Sequence, residues 1–169
     1  PDYHGRGEVL RTSEPYFEGD EAQWTVHEYD DLGRPKRVVA PGNRVSLTEY
    51  AGLVTTVTDP LGRTSVRTVD TRGRVVASLD ALGGSVLFAY DSMDNLIAVQ
   101  DPAGNVTAMT YDLRGNRISI ADPDSGTTHS GYHALGQLLV ETDARGNTIF
   151  LSYDLLGPLV NRGEPEGGT

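Results

Sequence analysis

Carboxylates recur at intervals of 21 residues in this 169-residue chain, and many hydrolytic and metal-binding sites are built from such side chains. The column consists of Asp59, Asp80, Asp101, Asp122 and Asp143, and Glu164 takes the next place. Two of these groups could act as general acid and base, and a ladder of carboxylate oxygens could bind Ca²⁺. The even spacing instead favours equivalent turns on neighbouring hairpins, where each aspartate caps its own backbone. The dense DxDxDG spacing of a calcium loop is absent.

The histidines are the other potential ligands. His129 and His133 have the spacing of a helical metal pair, but on a strand they would lie roughly 13 Å apart, too far for one ion. His4 and His27 have no partner in sequence, and the chain contains no cysteine. The motifs of a serine nucleophile elbow, a phosphate-binding loop and a zinc cluster are also missing. We therefore expect no catalytic residue, cofactor or metal site, and no enzymatic activity.

A second column has the same period and begins each unit with tyrosine, usually in a Tyr-Asp pair. Its members are Tyr29-Asp30, Tyr50, a degenerate Val69-Asp70, Tyr90-Asp91, Tyr111-Asp112, Tyr132-His133 and Tyr153-Asp154. The step from Tyr50 to Val69 is 19 residues instead of 21. Glycines follow both columns, where a turn needs positive φ. They are Gly33, Gly73, Gly115, Gly136 and Gly157 after the tyrosine column, and Gly62, Gly83, Gly104 and Gly146 after the aspartate column.

Two turns per unit leave two segments of about seven residues, which suits strands and is too short for helices. Apolar residues alternate in these segments, as in Val86, Phe88 and Tyr90 or Ile149, Leu151 and Tyr153. A matching apolar column comprises Val76, Ile97, Ile118, Leu139 and Val160. The pattern predicts an all-β array of antiparallel hairpins with one apolar and one more polar face. Because about 13 strands exceed the roughly 10 of most open sheets, we expect a curved sheet.

Charge and termini limit the partners. The net charge is −10 and the pI about 4.7, which argues against nucleic acid and anionic membranes. No apolar run approaches the roughly 20 residues that span a bilayer. The first residues lack the features of a signal peptide, and a start without Met predicts a piece of a longer protein. A cut array exposes unpaired edge strands, so we expect the isolated chain to self-associate edge to edge.

The turn motifs "YDDLGRP" (29–35), "DPLGRTS" (59–65), "DPAGNVTAMTYDLRGNR" (101–117) and "TDARGNTIFLSYDLLG" (142–157) resemble the RHS or YD repeat family. The resemblance covers residues 29–165, preceded by a pre-repeat β segment (1–28) and followed by a tail (166–169). It implies a strip of sheet that spirals into a hollow shell. In bacterial polymorphic toxins and insecticidal toxin complexes, that shell encloses a C-terminal toxin domain. The partners it implies are the remainder of the shell and the enclosed toxin, and the localisation is secreted through a bacterial secretion system.

The segment 1–28, with its "SEPYF" and following tryptophan, is similar to the start of bacterial repeat arrays and favours the toxin shell. An alternative is an extracellular glycan- or protein-binding module of the teneurin or wall-associated type, in which the tyrosines would stack on a ligand. We favour a structural role in which the tyrosines keep successive hairpins in register. Bacterial members often cleave themselves at a DPxGL motif, but the turns at Asp59, Asp101 and Asp122 lack its leucine. That activity is not carried over.

Overall fold

The computed structural model describes residues 1–5, 7–17, 19–154, 157 and 159–163. Within these residues every regular element is a β-strand. The strands are β1 (Asp2–Tyr3), β2 (Val9–Ser13), β3 (Trp24–Tyr29), β4 (Pro35–Ala40), β5 (Arg44–Ala51), β6 (Val54–Thr58), β7 (Thr64–Val69), β8 (Val75–Leu79), β9 (Ser85–Tyr90), β10 (Leu96–Gln100), β11 (Val106–Tyr111), β12 (Arg117–Asp122), β13 (Gly126–Tyr132), β14 (Leu138–Thr142), β15 (Thr148–Tyr153) and β16 (Leu159–Gly163).

Within each of two compact units the strands follow one another in the same order as in the chain, and neighbouring strands pair antiparallel. The predicted all-β hairpin array is therefore confirmed. The chain forms two compact units, Pro1–Ser85 and Val86–Thr169. The pre-repeat segment contributes β1, β2 and most of β3. The acidic column's last member, Glu164, and the tail 166–169 lie outside the described residues.

The irregular step of 19 residues has a local cause in the first unit. Strands β5 and β6 pair Ala51 with Val54, so only Gly52 and Leu53 form the turn. Six residues lie between the paired Glu49 and Thr56, whereas eight lie between the equivalent Ala89 and Ala98 of β9 and β10. The shorter turn removes residues from this one repeat, after which the period of 21 residues resumes.

The second unit has a marked difference between its two faces. Because residues that pair across strands share a face, the register places Phe88 with Val99, and Met109 with Ile120. We call this the tyrosine face of the second unit. Its apolar and aromatic members are Val86, Phe88, Tyr90, Ile97, Val99, Met109, Tyr111, Ile118, Ile120, Tyr132, Leu139, Ile149, Leu151 and Tyr153, and the register adds the polar Thr107, Thr128, Ser130 and Glu141. The opposite face carries mostly small residues, including the paired Ala89, Ala98, Ala108 and Ala121.

The tyrosine face is only partly covered by its own side chains. Met109, 8% exposed, is the one buried hydrophobic residue among those described. The predicted apolar column is half-exposed, with Ile97, Ile118 and Leu139 at 36%, 38% and 37%. A single sheet layer buries an apolar residue only against its neighbours in the same sheet, which explains this incomplete burial.

Candidate functional site

The repeated turns begin with a fixed backbone pattern, which Asp112 illustrates. The Asp112 N–H donates to the Asn116 carbonyl at 2.9 Å, and the Gly115 N–H donates to the Asp112 carbonyl at 3.1 Å. Gly115 has φ 82°, in the left-handed region that favours glycine. This is a three-residue hairpin loop, a turn closed by a glycine bulge. It sets the spacing of aspartate and glycine that recurs along the chain.

The aspartate side chain completes the turn. Asp112 Oδ1 accepts hydrogen bonds from the Arg114 and Asn116 N–H groups at 2.8 and 2.9 Å. Its Oδ2 accepts a third from Asn116 Nδ2 at 2.8 Å. The same three contacts recur at Asp30, Asp59, Asp91, Asp101 and Asp143. Asp70 also makes them, with Arg72 and Arg74 as donors. Both oxygens of each carboxylate are thus engaged within its own turn.

The third hydrogen bond to each carboxylate comes from the side chain at the fifth position of the turn, counting the aspartate as the first. The sequence analysis missed this position. In the first unit arginine holds it after Asp30, Asp59 and Asp70, and Arg63 reaches Asp59 Oδ2 through Nε at 2.7 Å and Nη2 at 2.6 Å. In the second unit it is asparagine, as in Asn105 to Asp101 Oδ2 at 2.9 Å. The signal was present in the sequence as DxxG followed by Arg or Asn. It also shows that the turns after both columns are the same structure, although they look different in sequence.

Hydrogen bonding keeps these carboxylates ionised. The Arg63 side chain, and then its backbone N–H, lower the pKa of Asp59. The amide of Asn105 is the largest cause that lowers the pKa of Asp101, against an opposing contribution from burial. A general acid must hold a proton near neutral pH, so a carboxyl with a lowered pKa is poorly suited to that role. The chemistry of these residues is that of turn caps.

Three aspartates depart from the scheme. Asp80 Oδ1 accepts from the Leu82 and Gly84 N–H groups, both at 2.8 Å, but glycine at the fifth position has no side chain to supply the third donor. Asp122 Oδ1 accepts from the Asp124 and Ser125 N–H groups, while its Oδ2 accepts from the Thr107 hydroxyl at 2.9 Å. Its turn is therefore different, although its sequence spacing matches the column. Asp94 occupies the glycine position of its turn with φ 69°, a conformation that costs a non-glycine residue free energy.

The histidines do not form a metal site. His133 begins a turn, and its Nδ1 accepts a hydrogen bond from the Leu135 N–H at 3.1 Å. His129 lies in β13, paired with Thr142. His4 packs edge-on against Tyr29, with ring centroids 6.2 Å apart, and lines an open hollow together with His27. Within the described residues, His, Asp and Glu side chains form no group of three or more that could hold a metal ion.

The tyrosines form a regular ladder of hydrogen bonds to the main chain. Tyr111 donates its hydroxyl to the Leu96 carbonyl at 2.9 Å, and Leu96 is the residue that pairs with Tyr90. The same step, a donor 15 residues after its acceptor, joins Tyr50 to Pro35, Tyr132 to Arg117 and Tyr153 to Leu138. Each hydroxyl therefore bonds to the first residue of the strand that precedes its own. All six tyrosines of the column are half-buried.

Further contacts link successive turns along the edge that carries the Tyr-Asp pairs. Arg114 Nη1 donates to the Ala134 carbonyl at 2.6 Å, and Gln137 Nε2 donates to the Gly157 carbonyl at 3.1 Å. Both acceptors lie 20 residues after their donors, in the next turn. These contacts, the tyrosine ladder and the strand pairing all connect neighbouring repeats. The arrangement is a scaffold whose hydrogen-bonding groups are directed at the scaffold itself.

Comparison with known families agrees with this geometry. Residues 69–106, 94–128 and 111–148 each match the RHS Repeat family model. No curated protein sequence matches the chain. No helix within the described residues is long and apolar enough to cross a membrane.

Solved structures of toxin-complex proteins match this fold. The TcdB2-TccC3-Cdc42 crystal structure matches with a TM-score of 0.86 and 23% identity, over 99% of this chain and 10% of that one. The TcdB2–TccC3 structure gives a TM-score of 0.85 and 24% identity over the same shares. The Tc holotoxin pore of Photorhabdus luminescens gives 0.80 and 22%, also over 99% and 10%. This chain thus spans about a tenth of the length of the chains it matches.

Proposed function

Because this chain belongs to the RHS/YD-repeat family, we propose that it is a wall segment of a toxin shell and that its tyrosine face lies against enclosed cargo. The cargo would be a toxin domain carried by the longer protein, and its partners would be the remainder of the shell. The protein would be secreted by a bacterium. The wall separates the cargo from its surroundings through continuous main-chain pairing between hairpins.

The incompletely covered tyrosine face of the second unit carries this proposal. Large apolar side chains such as Phe88, Met109 and Leu151 occupy it, yet Ile97 and Leu139 keep more than a third of their surface exposed. Exposed apolar surface of this extent is typical of a surface with a partner. A polypeptide held inside a shell would supply that partner.

The occupation of the polar groups supports a structural role over catalysis or ligand binding. Most of the turn carboxylates accept three hydrogen bonds within their own turns, and the hydroxyls of Tyr50, Tyr111, Tyr132 and Tyr153 donate to main-chain carbonyls. A glycan-binding module needs polar groups and rings that are available to the ligand. Here those groups stabilise the sheet instead.

Hydroxyl-radical footprinting of the two faces tests the proposal. The isolated chain and the intact protein that contains it are labelled in parallel, and Ile97 and Leu139 are compared with Leu87 and Phe150 on the opposite face. Leu87 and Phe150 are 45% and 50% exposed and serve as matched controls. We expect the intact protein to protect Ile97 and Leu139 and to leave the controls reactive. Equal labelling of the tyrosine face in both forms would overturn the proposal.

A second comparison identifies the cargo as the protecting partner. The intact protein and a version without its C-terminal domain are labelled in the same way. Loss of protection at Ile97 and Leu139 without the domain supports an enclosed toxin. If a glycan array detects binding by the isolated chain and Tyr111→Phe or Tyr132→Phe weakens it, the binding-module alternative replaces the shell.

A further inference from the structure

One turn in the repeat differs in its chemistry. Among the described turns with the shared backbone pattern, histidine stands in place of aspartate at His4 and at His133, and His133 is the one that lies within the 21-residue repeats. The backbone bonds are retained, since the His133 N–H donates to the Gln137 carbonyl at 2.8 Å and the Gly136 N–H donates to the His133 carbonyl at 2.9 Å. The imidazole Nδ1 replaces a carboxylate oxygen as the acceptor for the Leu135 N–H.

The histidine turn has fewer side-chain contacts than an aspartate turn. Asp112, one repeat earlier, accepts three hydrogen bonds, including one from the side chain at the fifth position. Gln137 occupies that fifth position after His133, but its side-chain amide donates to Gly157 in the next turn. The bond from the Leu135 N–H is therefore the side-chain contact that holds His133 in its own turn.

That bond requires a neutral imidazole. Nδ1 accepts a hydrogen bond only through its lone pair, and both ring nitrogens are donors once the ring is protonated. An aspartate in the same position accepts whenever it is ionised. Histidine changes charge in the range between about pH 5 and pH 8, where a hydrogen-bonded aspartate stays ionised.

We propose that the turn at residues 133–137 is a pH-sensitive joint in the array, in which protonation of His133 breaks the Leu135 N–H bond and loosens the turn. The aspartate turn one repeat earlier, at Asp112, stays closed over the same range. Because Gln137 links this turn to Gly157, the joint also weakens the connection between successive turns along that edge.

The charged neighbours of His133 carry both signs, and each of them favours loss of the Leu135 N–H bond once the imidazole is protonated. Arg114 donates to the carbonyl of Ala134 inside the turn, so a protonated His133 would add a second cation there. Asp112 is engaged by Arg114 and Asn116 in its own turn, and Arg117 is the first residue of β12. Asp154 lines the same hollow as His133. An imidazolium drawn toward Asp154 also leaves the Leu135 N–H, so either course breaks the bond.

Amide exchange of the 169-residue chain tests the joint. Protection factors for the Leu135 amide are measured by NMR at about pH 8 and pH 5 and corrected for intrinsic exchange. We expect protection at Leu135 to fall about fivefold at the lower pH, the equivalent of one typical hydrogen bond. The matched amide is Arg114, which donates to Asp112 at the same turn position and should keep its protection.

His133→Asn supplies the control variant, because its amide oxygen accepts a hydrogen bond at every pH. We expect the Leu135 amide of His133→Asn to have the same protection at both pH values. Asp112→His should transfer the effect to the Arg114 amide. Equal Leu135 protection at both pH values in the unmodified chain, or an equal loss in His133→Asn, would overturn the proposal.

Discussion

Removal of a single hydroxyl from the tyrosine ladder should destabilise the sheet measurably. Tyr111→Phe keeps the ring and its packing on the tyrosine face and deletes only the bond to the Leu96 carbonyl, which is 2.9 Å long. An intramolecular hydrogen bond contributes about 0.5–1.5 kcal/mol net. Tyr111 is half-buried, so water can partly replace the lost donor and the expected cost is about 0.5–1 kcal/mol.

Urea denaturation gives the free energy of unfolding, and amide exchange in β10 and β11 shows where the loss occurs. For a chain of this length, 1 kcal/mol corresponds to about 2–4 °C in Tm, so a fall of roughly 1–4 °C is expected. Repeat arrays behave approximately as a sum of nearest-neighbour interfaces. The loss of protection should therefore concentrate at the β10–β11 pair and spare β15 and β16.

Tyr16→Phe is the control, because Tyr16 is 56% exposed and lies outside the strands. It should leave the free energy of unfolding unchanged. If Tyr111→Phe costs no more than Tyr16→Phe, the hydroxyl ladder does not stabilise the sheet. The tyrosines would then contribute through their rings alone.

Three other expectations concern turns and edges. Asp94→Gly should raise the free energy of unfolding by about 0.5–1 kcal/mol by relieving φ 69°, whereas Gly115→Asp should lower it in the same urea assay. The turn carboxyls, such as Asp59, have lowered pKa values in the folded chain. Their contribution to stability is therefore complete above the unfolded-state pKa of about 4 and is lost as the pH falls through the folded-state pKa. Urea titrations at pH 7 and pH 2.5 measure this loss, and equal stability at both would contradict it. The isolated chain should also self-associate through its edge strands, and a monodisperse monomer at high concentration in sedimentation would contradict this.

The sequence was sufficient to predict the fold because it has two regular periods, one of 21 residues and one of two. The 21-residue columns of tyrosine and aspartate gave the number of hairpins, and the period of two within each segment gave strands with distinct faces. Local turn chemistry determines both features, since Asp and Gly at fixed positions close a hairpin without distant contacts. The assignment of the aspartates to turns had the same local basis.

Departures from the repeat were harder to predict. Asp122 has the column's spacing but a different turn, because Gly126 lies one position later than the usual glycine. The contact of Thr107 with Asp122 joins residues 15 apart, and no motif marks it. The turns after the tyrosine and aspartate columns share a sequence pattern, but only their hydrogen bonds showed that they have the same structure.

The sequence by itself determined that this chain is a hairpin array, where its turns fall and which residues alternate between faces, because these depend on contacts within a few residues. The tertiary structure decided what the tyrosines and turn side chains contact. Tyr111 finds the carbonyl of Leu96 and Arg114 that of Ala134 only after strands have paired in register. It also decided how much of the apolar face stays uncovered, since burial depends on whether a second layer packs against the sheet.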